Sequence, residues 1–136
     1  MKIAVCLDDK NGMTFFGRRQ SMDSCLRREF LTLCGTDKVW MDAYSAGQFS
    51  EDRDRILVDE AFLTKAGEND WCFVEKGDIA SVAGQITQIV LYRWNRHYPS
   101  DVKFPMALFA DKWKLVGQRD FPGSSHERIT EEVYSL

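Results

Sequence analysis

Asp23 has the greatest chemical potential in this chain, because it falls in the first turn of an expected helix, just past a polar loop, where a carboxylate can sit at the mouth of a pocket. A first-turn acid is also stabilised simply by the helix dipole, and that plainer role explains the residue equally well. Shortly before it, Arg18 and Arg19 are adjacent in the loop and could close over a phosphate or carboxylate, or remain solvated. Their neighbours Phe15 and Phe16 could cover a flat ring or only anchor the loop. Further along, Tyr92 and Arg93 stand at the end of an apolar segment, where α/β sheets place ligand contacts. Strand alternation would otherwise send one of them into the core and the other into water.

Other chemistries lack their residues. His97 and His126 are the only histidines, and neither stands at the spacing of a metal site. No G-x-S-x-G motif occurs, and Ser124-Ser125-His126 reads as a turn, not a hydrolase triad. A net charge of -3 from interspersed acids and bases, with pI near 5.4, gives no basic stripe for nucleic acid. The cysteines Cys6, Cys25, Cys34 and Cys72 form no C-x-x-C pair, which favours a reduced, cytoplasmic protein. The apolar run at the N-terminus is too short for a secretory signal, and no segment is long enough to span a bilayer.

The elements that would position these residues follow from periodicity. A length of 136 residues, 44% hydrophobic, fits one domain covering 1–136 with a real core. Ile3-Ala4-Val5-Cys6-Leu7 is continuously apolar, as expected of a central strand covered on both faces. Met22, Leu26, Phe30 and Leu33 recur at helical spacing, with Ser21 as N-cap and Gly35 as the stop. Strands are expected at Lys38–Met41, Arg55–Val58, Trp71–Val74 and Ile86–Trp94, with short helices between them. Lys112–Val116 and Arg128–Tyr134, joined through the turn-rich stretch from Phe121 to Ser125, predict a closing antiparallel hairpin. The sum is an α/β three-layer sandwich with a mostly parallel sheet.

This order of elements, with its particular residues, resembles the dihydrofolate reductase family. Ile3-Ala4-Val5 followed by Asn11-Gly12-Met13 is similar to the family's first strand and mobile loop, and Asp23 falls close to its pterin-binding carboxylate. Asp101-Val102-Lys103-Phe104-Pro105 resembles its G-D-x-x-F-P turn, with Ser100 in place of the glycine. The resemblance implies a dihydrofolate reductase-like sandwich and an NADPH-dependent reductase in which Asp23 orients a pteridine ring. It also implies ligand contacts at Asn11, Gly12, Met13 and Ser45.

The cofactor half departs from the family. Where the resemblance implies a G-R-x-T segment for the phosphates of NADP, this chain has Asp42-Ala43-Tyr44-Ser45, and only the Ser45 hydroxyl is kept. The family's strand ending in a glycine pair has no counterpart between Val74 and Ile86, so a sheet shortened by one strand is expected. The resulting expectation is a small-molecule binder for a pteridine- or nucleotide-like compound with degraded cofactor motifs. The alternative is a non-catalytic scaffold, a homo-oligomer that covers an exposed sheet edge with a second copy.

Overall fold

The continuous apolar run at the start of the chain becomes the centre of the sheet. In the computed structural model, which describes residues 1–136, β1 (Lys2–Leu7) pairs in parallel with β6 (Trp71–Phe73) on one side and β7 (Gln88–Arg93) on the other. Beyond β6 lie β4 (Val39–Met41) and β5 (Ile56–Val58), both parallel. Beyond β7, β10 (Ile129–Ser135) and β9 (Lys114–Phe121) run antiparallel, giving the seven-stranded order β5-β4-β6-β1-β7-β10-β9. The mostly parallel sheet and closing hairpin match the expectation. No strand forms between Val74 and Ile86, where the chain makes only a 3₁₀ turn at Ala80–Gln85.

Strand alternation divides the interior into two cores. Ile3, Val5, Leu7, Ile89 and Leu91 face one core, shared with Phe62 and Leu63 of α3 (Phe62–Lys65). Ala4, Val90 and Tyr92 face the other, under Leu26, Phe30 and Cys34 of α1 (Ser24–Cys34). Phe30 is the hub of that second core, packing edge-on or tilted against Phe49, Trp71, Phe73 and Tyr92. The α1 stripe is thus Leu26, Phe30 and Cys34; Met22 and Leu33, expected on it, are 48% and 39% exposed.

The cap also differs from expectation. Asp23, not Ser21, is the N-cap of α1, with extended backbone and a side chain accepting from the amides of Cys25 and Leu26. Asp23 therefore stands one step outside the helix, and the first turn carries no acid. A second difference is a small antiparallel sheet, where a loop was expected, made of β2 (Gly12–Phe15), β3 (Arg18–Arg19) and β8 (Val102–Lys103). Gly12 is required there: a Cβ would lie 2.6 Å from the Ser100 side chain. Such short strands carry too few residues for an alternating pattern to show.

Candidate functional site

In an open parallel sheet, ligands bind beyond the C-terminal ends of strands where successive connections leave to opposite faces. Here the chain leaves β1 for α1 on one face and leaves β6 for the Ala80–Gln85 turn on the other, so the crevice lies beyond Cys6 and Val74. It is closed. Arg19 of β3 reaches across it and forms a two-pronged pair with Glu75, Nε to Oε2 at 2.8 Å and Nη2 to Oε1 at 3.1 Å. The Arg19 Nη2 also donates to the Tyr44 carbonyl, and its guanidinium lies 4.1 Å from the Tyr44 ring centroid. Lys76 lies 3.9 Å from the same centroid. Between Cys6, Met13, Gln20, Trp94 and this pair only about 10 Å³ is left, the room of a single water.

The electrostatics of the crevice are those of a packed interior. Burial tends to lower the Arg19 pKa, but the bonds and charge of Glu75 outweigh it and hold the guanidinium firmly protonated. The same burial, together with the Glu75 charge, holds the Cys6 thiol well above its ordinary value, so it is no ready nucleophile. Asp8, at the end of β1, accepts from the amides of Gly12, Lys10 and Tyr98 and from Gln20 Nε2. Burial alone would push its carboxyl up, yet these bonds win and hold it below the usual range.

Asp23 is as fully engaged. The turn after β9 folds over it: Ser124 N donates to Oδ1 at 3.0 Å, Ser125 N to Oδ2 at 2.8 Å, and His126 Nδ1 lies 3.0 Å from Oδ2. With its two helix amides the carboxylate has five partners and a side chain 0% exposed. Burial opposes the charged form, but the Ser124 and Ser125 amides, His126 and the Leu26 amide outweigh it and depress the Asp23 pKa strongly. Gly123 makes this closure possible, since a Cβ there would collide with the Asp23 carboxylate and with the His126 carbonyl. The ring of His126 stacks on Trp94 and its Nε2 lies 3.0 Å from the Tyr98 hydroxyl. This buried network ties the last hairpin to the start of α1, and its carboxylate faces no open pocket.

The other sequence candidates divide between core and surface. Tyr92 is 0% exposed and donates its hydroxyl to Glu131, and Ser45 is equally buried with no partner for its Oγ, so neither faces a cleft. Arg93 donates to Glu132 and to Asn11 Oδ1, a brace between the end of β7 and the loop after β1. Gly12 is buried by backbone pairing, and Met13 packs into the core beside the crevice. Arg18 alone is exposed and free of any ion pair.

Arg18 and Arg19 border an open cleft of about 560 Å³ together with Phe15, Phe16, Gln20, Tyr98 and Pro99. Phe16 is 78% exposed and has φ 50, and Gly17 beside it has φ 71. Two positive φ values between β2 and β3 are the pattern of a type I′ hairpin, whose first position favours Asn and penalises a bulky side chain. A separate polar cleft of about 330 Å³ lies between α1 and the segment after α2 (Ala43–Ala46), bordered by Arg27, Arg28, Gln48, Ser50, Glu51 and Asp52. Sequence reasoning missed Glu75 and Tyr98 and placed His126 only in a turn, because the one signal of each is that it partners a distant residue.

The residues present do not fit the phosphates of a nicotinamide cofactor. At the α2 N-terminus, the Ala43 amide donates to Glu60 and the Ser45 amide to Asp42, so two carboxylates occupy the donors a phosphate would need. After β6, Gly77 offers no cradle, because a Cβ there would meet Leu63 Cδ1 at 2.9 Å.

The seven-stranded sheet, its closing hairpin and the two cores define a protein of the dihydrofolate reductase-like fold. The chain superimposes on dihydrofolate reductase from Enterococcus faecalis, solved in complex with NADP(H) and RAB-propyl, with a TM-score of 0.65 at 10% identity, covering 99% of this chain and 95% of that one. No family model and no curated protein matches the sequence. No helix is long and apolar enough to cross a membrane.

Proposed function

We propose that this chain binds a small flat ring compound carrying an anionic group, of the pteridine or nucleotide kind, in the cleft under the Phe15–Arg19 hairpin, and that it does not perform NADPH-dependent reduction. The observation that carries the reading is Phe16, an exposed aromatic ring held in a left-handed conformation beside the unpaired Arg18. A bulky residue at positive φ costs about 1–3 kcal/mol, and strain of this kind gathers at ligand clamps. A ring stacked on Phe16 would place its anionic group within reach of Arg18. Against reduction stand the Arg19–Glu75 pair closing the inner end of the crevice, the engaged Asp23 carboxylate, and the two carboxylates at the α2 N-terminus.

Calorimetric titration with nucleoside monophosphates, folate and NADPH tests this. Saturable binding of one ring anion, weakened roughly tenfold or more in Phe16→Asn and in Arg18→Ala, is expected, since each removes an interaction worth about 1.4 kcal/mol. The absence of binding by every compound, or binding indifferent to both changes, overturns the reading. Steady loss of NADPH absorbance in the presence of dihydrofolate overturns its non-reducing half.

The edge strand β9 favours a second reading, a scaffold that pairs with another copy: Leu115 and Val116 are 48% and 61% exposed there. A dimer by light scattering that persists on dilution supports it, and a monomer at all concentrations removes it.

A further inference from the structure

On the sheet face opposite α1, the connection from β8 to β9 arches over β7 and leaves a cavity of about 220 Å³. Its floor is Ile89 and Leu91, its roof Phe104, Met106 and Phe109, and its walls Trp113 and Tyr134, with Ala110 at the mouth. None of the lining residues carries a charge. The aromatic rings are already ordered: Phe104 and Phe109 stack with centroids 5.4 Å apart, and Phe109 meets Trp113 edge-on at 5.8 Å. The Tyr134 hydroxyl donates to Glu132, so it is not left in need of a ligand.

We infer that this cavity is a binding site for one uncharged aromatic molecule of one or two fused rings. Enclosed apolar cavities of about 150 Å³ lined by Leu, Ile and Phe take up benzene, and this one, open to solvent on one side, has a comparable lining that is larger and richer in ring faces and edges. A charged group in it would have no partner of opposite sign and would lose its hydration. Atoms on its walls lack contacts on one side, and a ring of matching size supplies them. A ring enters past the exposed Ala110, and the arch can yield to it. From Met106 to Trp113 the backbone hydrogen bonds stay within the arch, at Met106 to Phe104, Leu108 to Pro105, Phe109 to Met106 and Trp113 to Phe109, and only Phe104 is tied outside it, to Asn11. Lifting the arch therefore breaks no bond of the main sheet. The site is separate from the hairpin cleft, so it stands or falls independently of the proposed function.

Titrating the full chain with p-xylene and with benzoate, while following thermal unfolding and the methyl NMR signals of Met106, Ile89 and Leu91, tests the assignment. Saturable methyl shifts and a raised Tm with p-xylene are expected, with benzoate weaker by roughly tenfold or more because its carboxylate would be buried unpaired. Ala110→Phe, a change at an exposed position, should occlude the mouth and abolish the p-xylene effect, whereas Phe16→Ala should leave it intact. Unshifted cavity methyls at saturating p-xylene, equal affinity for benzoate, or an unchanged response in Ala110→Phe would overturn the inference.

Discussion

Replacing Asp23 by Ala should destabilise the protein far more than loss of an ordinary helix cap. The change removes the acceptor of the Cys25 and Leu26 amides, which as an N-cap is worth about 1 kcal/mol. It also leaves the Ser124 amide, the Ser125 amide and His126 Nδ1 without their partner, the histidine buried and the two amides in a turn whose serines are exposed. At roughly 1 kcal/mol for the buried His126 donor and about 0.5 kcal/mol for each amide that water can reach, added to the cap, the total is about 3 kcal/mol. For a chain of this size that corresponds to a fall in Tm of roughly 9 °C. Urea unfolding at neutral pH, followed by tryptophan fluorescence, measures the cost directly. The pH dependence supplies a second reading: the folded-state pKa of Asp23 is depressed, so its contribution is complete above the unfolded value of about 3.9 and is lost as pH falls below it toward the folded value. Asp23→Asn should lack that part of the acid loss. A cost for Asp23→Ala of no more than about 1 kcal/mol, the level of an exposed cap, would refute the reasoning and return Asp23 to the role of an open, ligand-facing carboxylate.

Arg19→Ala should cost about 3–5 kcal/mol in urea unfolding because it leaves Glu75 buried and unpaired, and combining Arg19→Met with Glu75→Leu should recover most of that loss. Gly123→Ala should lower stability by about 1–3 kcal/mol in the same assay, since the added methyl must displace the Asp23 carboxylate or the His126 carbonyl. Cys34 and Cys72 are buried, and burial pushes both thiols up to about 12. Thiol reagents at neutral pH should therefore label neither in the folded protein and both in urea, as read by mass spectrometry.

Much of the fold was legible because it rests on local patterns. A five-residue apolar run such as Ile3–Leu7, bounded by polar residues, is the mark of a strand covered on both faces, and Leu26 and Phe30 mark a helix face by spacing alone. The small β2-β3-β8 sheet was not legible, because β8 and β3 are two residues each and the pairing of β8 with β2 joins segments distant in sequence. At the candidate site the same division holds. Arg18, Arg19, Phe15 and Phe16 could be picked out as neighbours in one loop, and they do border one cleft. Tyr92 could not be assigned a side of the sheet until the register of β7 against β1 and β10 put its ring beneath Phe30.

By itself, then, the order of apolar strands and helix signals determined an α/β sandwich with a parallel centre and an antiparallel end, since burial periodicity is a property of each segment alone. Only the tertiary structure decided whether a carboxylate in that frame is chemical or structural. Asp23 meets Ser124, Ser125 and His126 across a separation of about a hundred residues, and Arg19 meets Glu75 from a separate sheet. A polar group's role is set by what fills its hydrogen bonds and how far water is kept from it, and both depend on partners that no local pattern names.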